Sequence, residues 1–477
     1  MRRRKIKTKK TTRSEVQVGN GLKLSWQEVA QHNTDESAWI AVDGKVYDVT
    51  DYIDSHPGGR EMLLLSVGRD ATDLFRSYHP FTDKPRRIME KFYIGEMVTY
   101  EHPVYTPDTG FYKEVCQEVG EYFRSRGIDH KSPKNMFYKM LPVYVVFAGT
   151  VYFTFMTERL PMSLRVVLAA AVGILQGVPL TGWMHDCSHA SLGHSENWWW
   201  TIGRLSLDWV CGSSMLAWRN QHVIGHHVYT NVFGADPDLP GSKDSDVRRL
   251  VPEQIWKEVY AYQHLYMPPL YGLLVFKSRT TDITEVFSTL KNGPIRVNPI
   301  SLQDVLRQFA SKIFWFWYRV VVPHSICKMP LSQILPLFVV TEIFTGYWLA
   351  FNFQVSHVSD EAEFLASSAD KGGEKPIHTL ISDEWAISQV KTSLDYSHND
   401  PVATYLSGAL NYQVAHHLLP TVSQHYYPEI TPIIMRICAK WNVEYKALPN
   451  YTAALCAHVR HLEKMGREGR APELKLE

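Results

Sequence analysis

Histidines carry the densest chemistry in this chain, and they come in three groups: His185-Asp186-Cys187-Ser188-His189, His222-Val223-Ile224-Gly225-His226-His227 and Gln413-Val414-Ala415-His416-His417. On a helix, residues four apart stand one above the other, so a pair with that spacing aims two imidazoles at one point. An adjacent third histidine is turned by about 100° and reaches a neighbouring point. Three such groups suit two metal ions better than one. Imidazole suits Zn, Cu, Fe and Ni, so the residue type leaves the metal open. An isolated histidine is ordinarily a surface or core residue, and His32, His194, His264, His324, His425, His458 and His461 are read that way. Seven histidines in three tight groups beside apolar segments are read as ligands.

The elements that must position these groups are apolar. The 477-residue chain is long enough for two or three domains, and its net charge of +1 gives no global electrostatic case for nucleic acid. Mean hydropathy is mildly negative, but the apolar residues are concentrated. Residues 141–157 and 166–184 carry no charge, and 331–356 is broken only by Glu342. Each is long enough for a bilayer core of roughly 30 Å. A weaker run, 313–327, contains Arg319 and Pro323. If the histidine groups share one site, an even number of crossings must separate them. Two runs precede His185, and two more are needed before His357, a further histidine directly after the run 331–356, so 313–327 is expected to cross as well. Arg319 would then face protein or snorkel. Four crossings place all the ligands on one face. Trp198, Trp199, Trp200 and Trp218, and the stretch 260–276, fit either a membrane interface or ordinary core packing. Gly234-Ala235-Asp236-Pro237-Asp238, a turn following Thr230-Asn231, is expected to support the histidines from behind.

Six cysteines without a Cys-x-x-Cys pair argue against a zinc ribbon or disulfide framework and fit a reducing compartment. No secretory signal is expected, because no apolar run follows the basic start MRRRKIKTKK. Residues 1–21 are read as a basic, disordered arm able to touch anionic lipid. Beyond it, Ser25 and Glu28 form a capping box opening a short helix, and Asp43-Gly44 marks a two-residue hairpin. His56-Pro57-Gly58-Gly59 follows, with His79 placed 23 positions after His56.

This segment, with its Gly68-Arg69-Asp70-Ala71-Thr72 stretch, resembles cytochrome b5. The resemblance implies a haem b domain over 22–98 with His56 and His79 as axial ligands. Two imidazoles leave no open position on the iron, so such a haem passes electrons and does not activate oxygen. Residues 99–110, with two prolines, read as a linker, and 111–123 as an amphipathic helix on a membrane surface or on the next domain.

The three histidine groups resemble those of membrane fatty-acyl desaturases. The haem domain and the glutamine opening the third group are similar to the front-end members, and the segments around Gln221–Asp238, Arg296–Pro299, Trp348–Phe351 and Leu410–Gln413 to delta-5 enzymes. The expected architecture is an α+β cytochrome b5-like domain followed, over 111–477, by an all-α membrane desaturase domain with four transmembrane helices and a cytosolic histidine-rich cap. By resemblance His185, His189, His222, His226, His227, His357, His416 and His417 would hold two non-haem iron ions. Gln413 would act at the site as a positioning or substrate-facing amide. Related desaturases have an asparagine four residues before the histidine at position 357; here Phe353 stands there, between Asn352 and Gln354.

An unactivated C–H bond has no acidic proton, so acid–base catalysis cannot remove it, and two irons can share the electrons needed to reduce O2. The resemblance implies a cis double bond made between the carboxyl end and an existing double bond of a twenty-carbon polyunsaturated chain, carried on coenzyme A or phospholipid. Electrons would come through the fused haem from NADH-cytochrome b5 reductase, a separate polypeptide because no dinucleotide-binding glycine fingerprint is present. The Glu-x-x-His pairs of soluble di-iron proteins are also missing. The expected location is the endoplasmic reticulum membrane, multi-pass, with both termini cytosolic. Competing readings are a delta-6 or delta-8 desaturase, a sphingolipid long-chain-base desaturase, a membrane hydroxylase, and a membrane-anchored haem electron carrier.

Overall fold

The computed structural model describes residues 21–131, 134–244, 246–365 and 380–469; the basic arm lies outside them. In the first domain the capping box forms as expected. Ser25 Oγ accepts from the Glu28 amide, and Glu28 Oε2 accepts from the Ser25 amide at 2.7 Å, opening the helix Trp26–Gln31. The Asp43-Gly44 turn joins Trp39–Val42 to Lys45–Asp48, with φ of 51° and 73° at its two residues. These strands belong to a four-stranded sheet ordered Leu22–Leu24, Tyr93–Met97, Lys45–Asp48, Trp39–Val42, parallel in its first pair and antiparallel in the others. Short helices Arg60–Ser66 and Thr72–Tyr78 stand beside the sheet, and His79 terminates the second of them.

The linker is more ordered than expected. Val104–Thr106, between Pro103 and Pro107, pairs in parallel with Leu380–Glu384 of the second domain. The prolines confine pairing to three residues, which suits a short sheet edge. The amphipathic segment forms helix Phe111–Arg126, and its apolar face packs on protein: Phe111, Val115 and Val119 are fully buried against the helix Tyr427–Lys440.

The second domain is mostly helical. Three two-stranded ladders correct the all-α expectation: Val104–Thr106 with Leu380–Glu384, Lys291–Asn292 with Ile295–Arg296, and Asp395–Tyr396 with Ala447–Leu448. Among the described residues two helices are long and apolar enough to cross a membrane, Met162–Ser188 and Leu331–Gln354. They pack closely because the first presents glycines. A Cβ on Gly173 would lie 2.4 Å from the Thr341 carbonyl, and one on Gly177 would strike Trp348.

Two further long helical segments flank this pair, Lys134–Phe155 and Leu302–Phe316 with its continuation Trp317–Ile326. The second begins eleven residues before the apolar run 313–327, since its early charges face protein. Asp304 meets Arg204 at 3.0 Å, and Lys312 meets Asp282 at 2.9 Å. Their outer faces expose Tyr138, Leu141, Val145, Leu302, Leu306 and Ile313. Arg319 faces protein: it is fully buried and donates to Gln176 and to Tyr318 Oη. Glu342 pairs with Arg279 at 2.5 Å, both buried. Trp199 and Trp200 are core residues. The indole of Trp199 donates to the Leu192 carbonyl at 2.8 Å, and the Arg219 guanidinium lies 3.9 Å from the Trp200 ring centroid.

Candidate metal centre

His56 and His79 face each other with ring centroids 6.4 Å apart. Each Nδ1 donates to a backbone carbonyl of its own segment, Gly59 and Phe75, at 2.8 Å. Both Nε2 lone pairs are thereby left for one ion between the rings. The two glycines of the His-Pro-Gly-Gly turn have separate tasks. A Cβ on Gly58 would come 2.7 Å from the His56 ring, and Gly59, at φ +94°, would drive one into Glu196 at 2.4 Å.

The other histidines converge from four separated segments into two adjoining sets. His185, His189, His222 and His416 form the first set, and His226, His357 and His417 the second. In each set the candidate ligand nitrogens lie within 4.8 Å of one another. His227 lies between them, its Nε2 at 3.2 Å from His222 Nε2 and 2.9 Å from His416 Nε2. All eight are buried.

His185 and His189, four apart, meet in one set, as expected. His222 and His226, also four apart, fall in different sets, against expectation. The reason is local: Asn220–His226 is wound as a wide π turn. Such a turn brings residues i and i+5 into register instead of i and i+4, so His222 meets His227 and His226 swings to the second set. The adjacent pair His416 and His417 is also divided between the sets.

The donor chemistry fits cations. His357 Nδ1 donates to the Thr392 carbonyl at 3.0 Å, and His417 Nδ1 donates to Gln389 Oε1 at 2.7 Å. With their only N–H groups spent, the two Nε2 atoms are acceptors 3.1 Å apart, and neither can donate to the other. The Gln413 amide, 2.8 Å from His357 Nε2, can satisfy that atom, which leaves His417 Nε2 facing a second acceptor unless a cation lies beside them. His185 Nδ1, His189 Nε2 and His227 Nδ1 are buried without a partner among the described residues. Burial, and after it the neighbouring imidazoles, holds His222, His227, His416 and His417 well below the usual histidine range, so these rings are neutral.

His226 differs. Burial lowers its pKa, but Asp236 and Asp238 outweigh that and raise it to about 9. Its Nδ1 lies 3.2 Å from Asp236, whose oxygens also accept from the amides of Asn231 at 2.8 Å and Asp238 at 2.9 Å. Asp236 thus orients His226 and is already occupied as an acceptor, as the turn at 234–238 was expected to provide.

Buried polar links fix the segments to one another. The Asp186 carboxylate accepts from Ser423 Oγ at 2.9 Å and Gln424 Nε2 at 3.0 Å, tying the first histidine group to the chain after the third. Arg219 Nη2 donates to the Cys187 carbonyl at 2.7 Å. Asp395 accepts from the Val414 amide at 2.9 Å, at the start of the helix Gln413–Leu418. Asn231 Nδ2 donates to the His357 carbonyl at 2.9 Å.

Gln413 reaches the site: its Nε2 lies 2.8 Å from His357 Nε2, and its Oε1 is buried without a partner among the described residues. Asn352 and Gln354 do not reach it. Asn352 donates back to the Trp348 carbonyl at 2.7 Å, and Gln354 accepts from Arg248 at 3.2 Å. Phe353 lies 5.3 Å from Trp218, which itself stacks on His222, giving the first set an apolar wall. Gln389, Thr392, Tyr427 and Tyr78, which hold histidine nitrogens, escaped the sequence reading. None belongs to a histidine group, and only Tyr78, beside His79, lay in a stretch already singled out.

The model of the fatty acid desaturase family matches residues 161–449, and that of the cytochrome b5-like haem/steroid-binding domain matches 25–98. Delta(5) fatty acid desaturase A of Dictyostelium discoideum is 38% identical over 455 residues, covering 94% of this chain and 95% of the relative. Acyl-lipid (8-3)-desaturase B of the same organism is 40% identical, covering 94% and 95%. The acyl-lipid (8-3)-desaturase of Mortierella alpina is 38% identical, covering 94% and 98%. The chain belongs to the fatty acid desaturase family and carries a cytochrome b5 haem domain ahead of its desaturase domain.

Proposed function

We propose that this protein is a front-end, O2-dependent di-iron desaturase that places a cis double bond at delta-5 of twenty-carbon polyunsaturated acyl chains. The observation carrying the di-iron reading is the division of the buried histidines into two adjoining sets, in each of which the candidate ligand nitrogens lie within 4.8 Å of one another. The full-length similarity to delta-5 and acyl-lipid (8-3) enzymes supports the choice of bond.

Each set would hold one iron, with His227 between them. Bound iron would supply the O2-dependent oxidation of an unactivated C–H bond. The chain's own residues do the rest. Asp236, Thr392, Gln389 and Tyr427 hold the Nδ1 side of His226, His357, His417 and His416, which turns each Nε2 inward. Trp218 and Phe353 offer the acyl chain an apolar surface beside His222. Once a cation occupies His357 Nε2, the Gln413 amide can no longer donate there, and rotating it presents Oε1 instead.

His56 and His79 would hold the haem, which would supply electron transfer to the centre, with NADH-cytochrome b5 reductase as the source of electrons. Lys134–Phe155 and Leu302–Ile326 would complete a four-crossing bundle, their outward apolar residues facing lipid in the endoplasmic reticulum.

The test is expression in yeast fed eighteen- and twenty-carbon polyunsaturated acids, with double-bond positions located by mass spectrometry. Delta-5 products from twenty-carbon acids are expected. Products confined to eighteen-carbon acids would replace the delta-5 assignment with delta-6, and a hydroxylated product would replace desaturation itself.

A further inference from the structure

We propose that the haem domain completes the metal centre: Tyr78 is a positioning residue that holds the His189 imidazole from across the domain boundary. This rests on reading the two histidine sets as metal sites. Tyr78 ends the helix Thr72–Tyr78 and directly precedes His79. Its hydroxyl lies 3.1 Å from His189 Nδ1, while His189 Nε2 is buried without a partner among the described residues. The His189 ring packs among those of His222, His227 and His416, at centroid separations of 4.9, 4.5 and 4.9 Å. A neutral imidazole that ligates through Nε2 carries its proton on Nδ1. The His189 N–H therefore donates to the Tyr78 oxygen, which fixes both tautomer and ring plane. His416 receives the same service from Tyr427, at 3.2 Å, within its own domain. For His189 the partner comes from the haem domain.

The seam between the domains is built to hold that register. Glu196, from the desaturase domain, accepts from the Arg60 amide at 2.9 Å and the Glu61 amide at 2.8 Å, at the half-buried start of the helix after the His-Pro-Gly-Gly turn. Gly59 lacks the side chain that would expel this carboxylate. Asn298 Nδ2 donates to the carbonyls of Leu64 and Val67 at 2.8 and 3.0 Å, and Arg69 Nη2 donates to the Arg296 carbonyl at 2.9 Å. A carrier swinging on a tether would have no use for backbone contacts of this kind, nor for a residue that orients a ligand of its acceptor. One peptide bond and one hydrogen bond therefore join the haem-ligand histidine to a histidine of the metal centre.

The experiment uses the full chain with haem bound, stripped of non-haem metal and titrated with Co(II) as a probe. Tyr78→Phe keeps the ring and removes the hydroxyl. Loss of a partner behind a ligand weakens metal binding by about 10- to 100-fold. One Co(II) of two is expected to bind that much more weakly and to shift its ligand-field bands, while the second Co(II) and the haem spectrum stay as in the parent. Parent-like affinity and bands for both ions overturn the role of Tyr78. If Tyr78→Phe does not fold, Glu196→Ala serves instead, because loosening the seam should weaken the same ion severalfold. Unchanged Co(II) binding in that variant overturns the proposal too. A parent protein that takes up no Co(II) defeats the metal reading itself, and this inference with it. Two ions bound normally in parent and variant defeat the Tyr78 role alone.

Discussion

The haem site and the histidine centre both rest on imidazoles, yet they are built in different ways. The candidate haem ligands His56 and His79 come from one continuous segment, each held by a carbonyl three or four residues away. The candidate ligands of the centre come from four segments between His185 and His417, and the groups hydrogen-bonded to them are also distant: Gln389 for His417, Thr392 for His357, Tyr78 for His189. A local site depends on one domain forming its own turn. A dispersed site depends on the whole bundle, on Asp186 meeting Ser423 and Gln424, and on the seam with the haem domain. The contrast predicts which lesions stay local and which spread.

The largest effects should come from the candidate ligands. His417→Ala is expected to reduce desaturated product to background and to lower non-haem iron content while the haem spectrum remains. Loss of haem in that variant would break the separation between the sites. His56→Ala is the mirror case: haem absorption and fused-domain activity are lost, and non-haem iron is retained. Full activity there, with no other donor present, would refute the intramolecular electron route. Next comes Asp236→Asn, which leaves His226 in place without its carboxylate. A drop of about 10- to 100-fold in metal affinity or activity is expected, checked by metal titration, and a change within twofold would show that the turn at 234–238 merely packs. Smaller still should be Gln413→Ala. If the amide positions and does not ligate, iron content is unchanged and only turnover falls, so loss of one iron would promote Gln413 to ligand.

The same contrast explains what could be read from the chain alone. The haem domain was legible because its signals are local: a capping box at Ser25 and Glu28, a hairpin at Asp43-Gly44, and two glycines beside His56. The histidines of the centre were legible by type and grouping, whereas Arg319 fitted either protein or a membrane interface as a letter, and only its burial against Gln176 and Tyr318 decides for protein. The pairing of the histidines was not legible. A π turn over Asn220–His226 sends His226 to a different set from His222, and no residue pattern announces five-residue register. Trp199 and Trp200 fit membrane interface and core equally as letters, and only packing against Leu192 and Arg219 settles them as core. Gln389 and Thr392 carried no signal, since a partner behind a ligand is defined by tertiary contact.

The most direct measurement of the central claim is metal stoichiometry on the purified full chain, with iron counted by elemental analysis and haem by its pyridine haemochrome. The proposed function predicts three irons per chain, one in haem and two outside it, with the two non-haem irons lost by chelation and the haem iron retained. Protein holding its haem but no stoichiometric non-haem iron, even after reconstitution with ferrous iron, would contradict it.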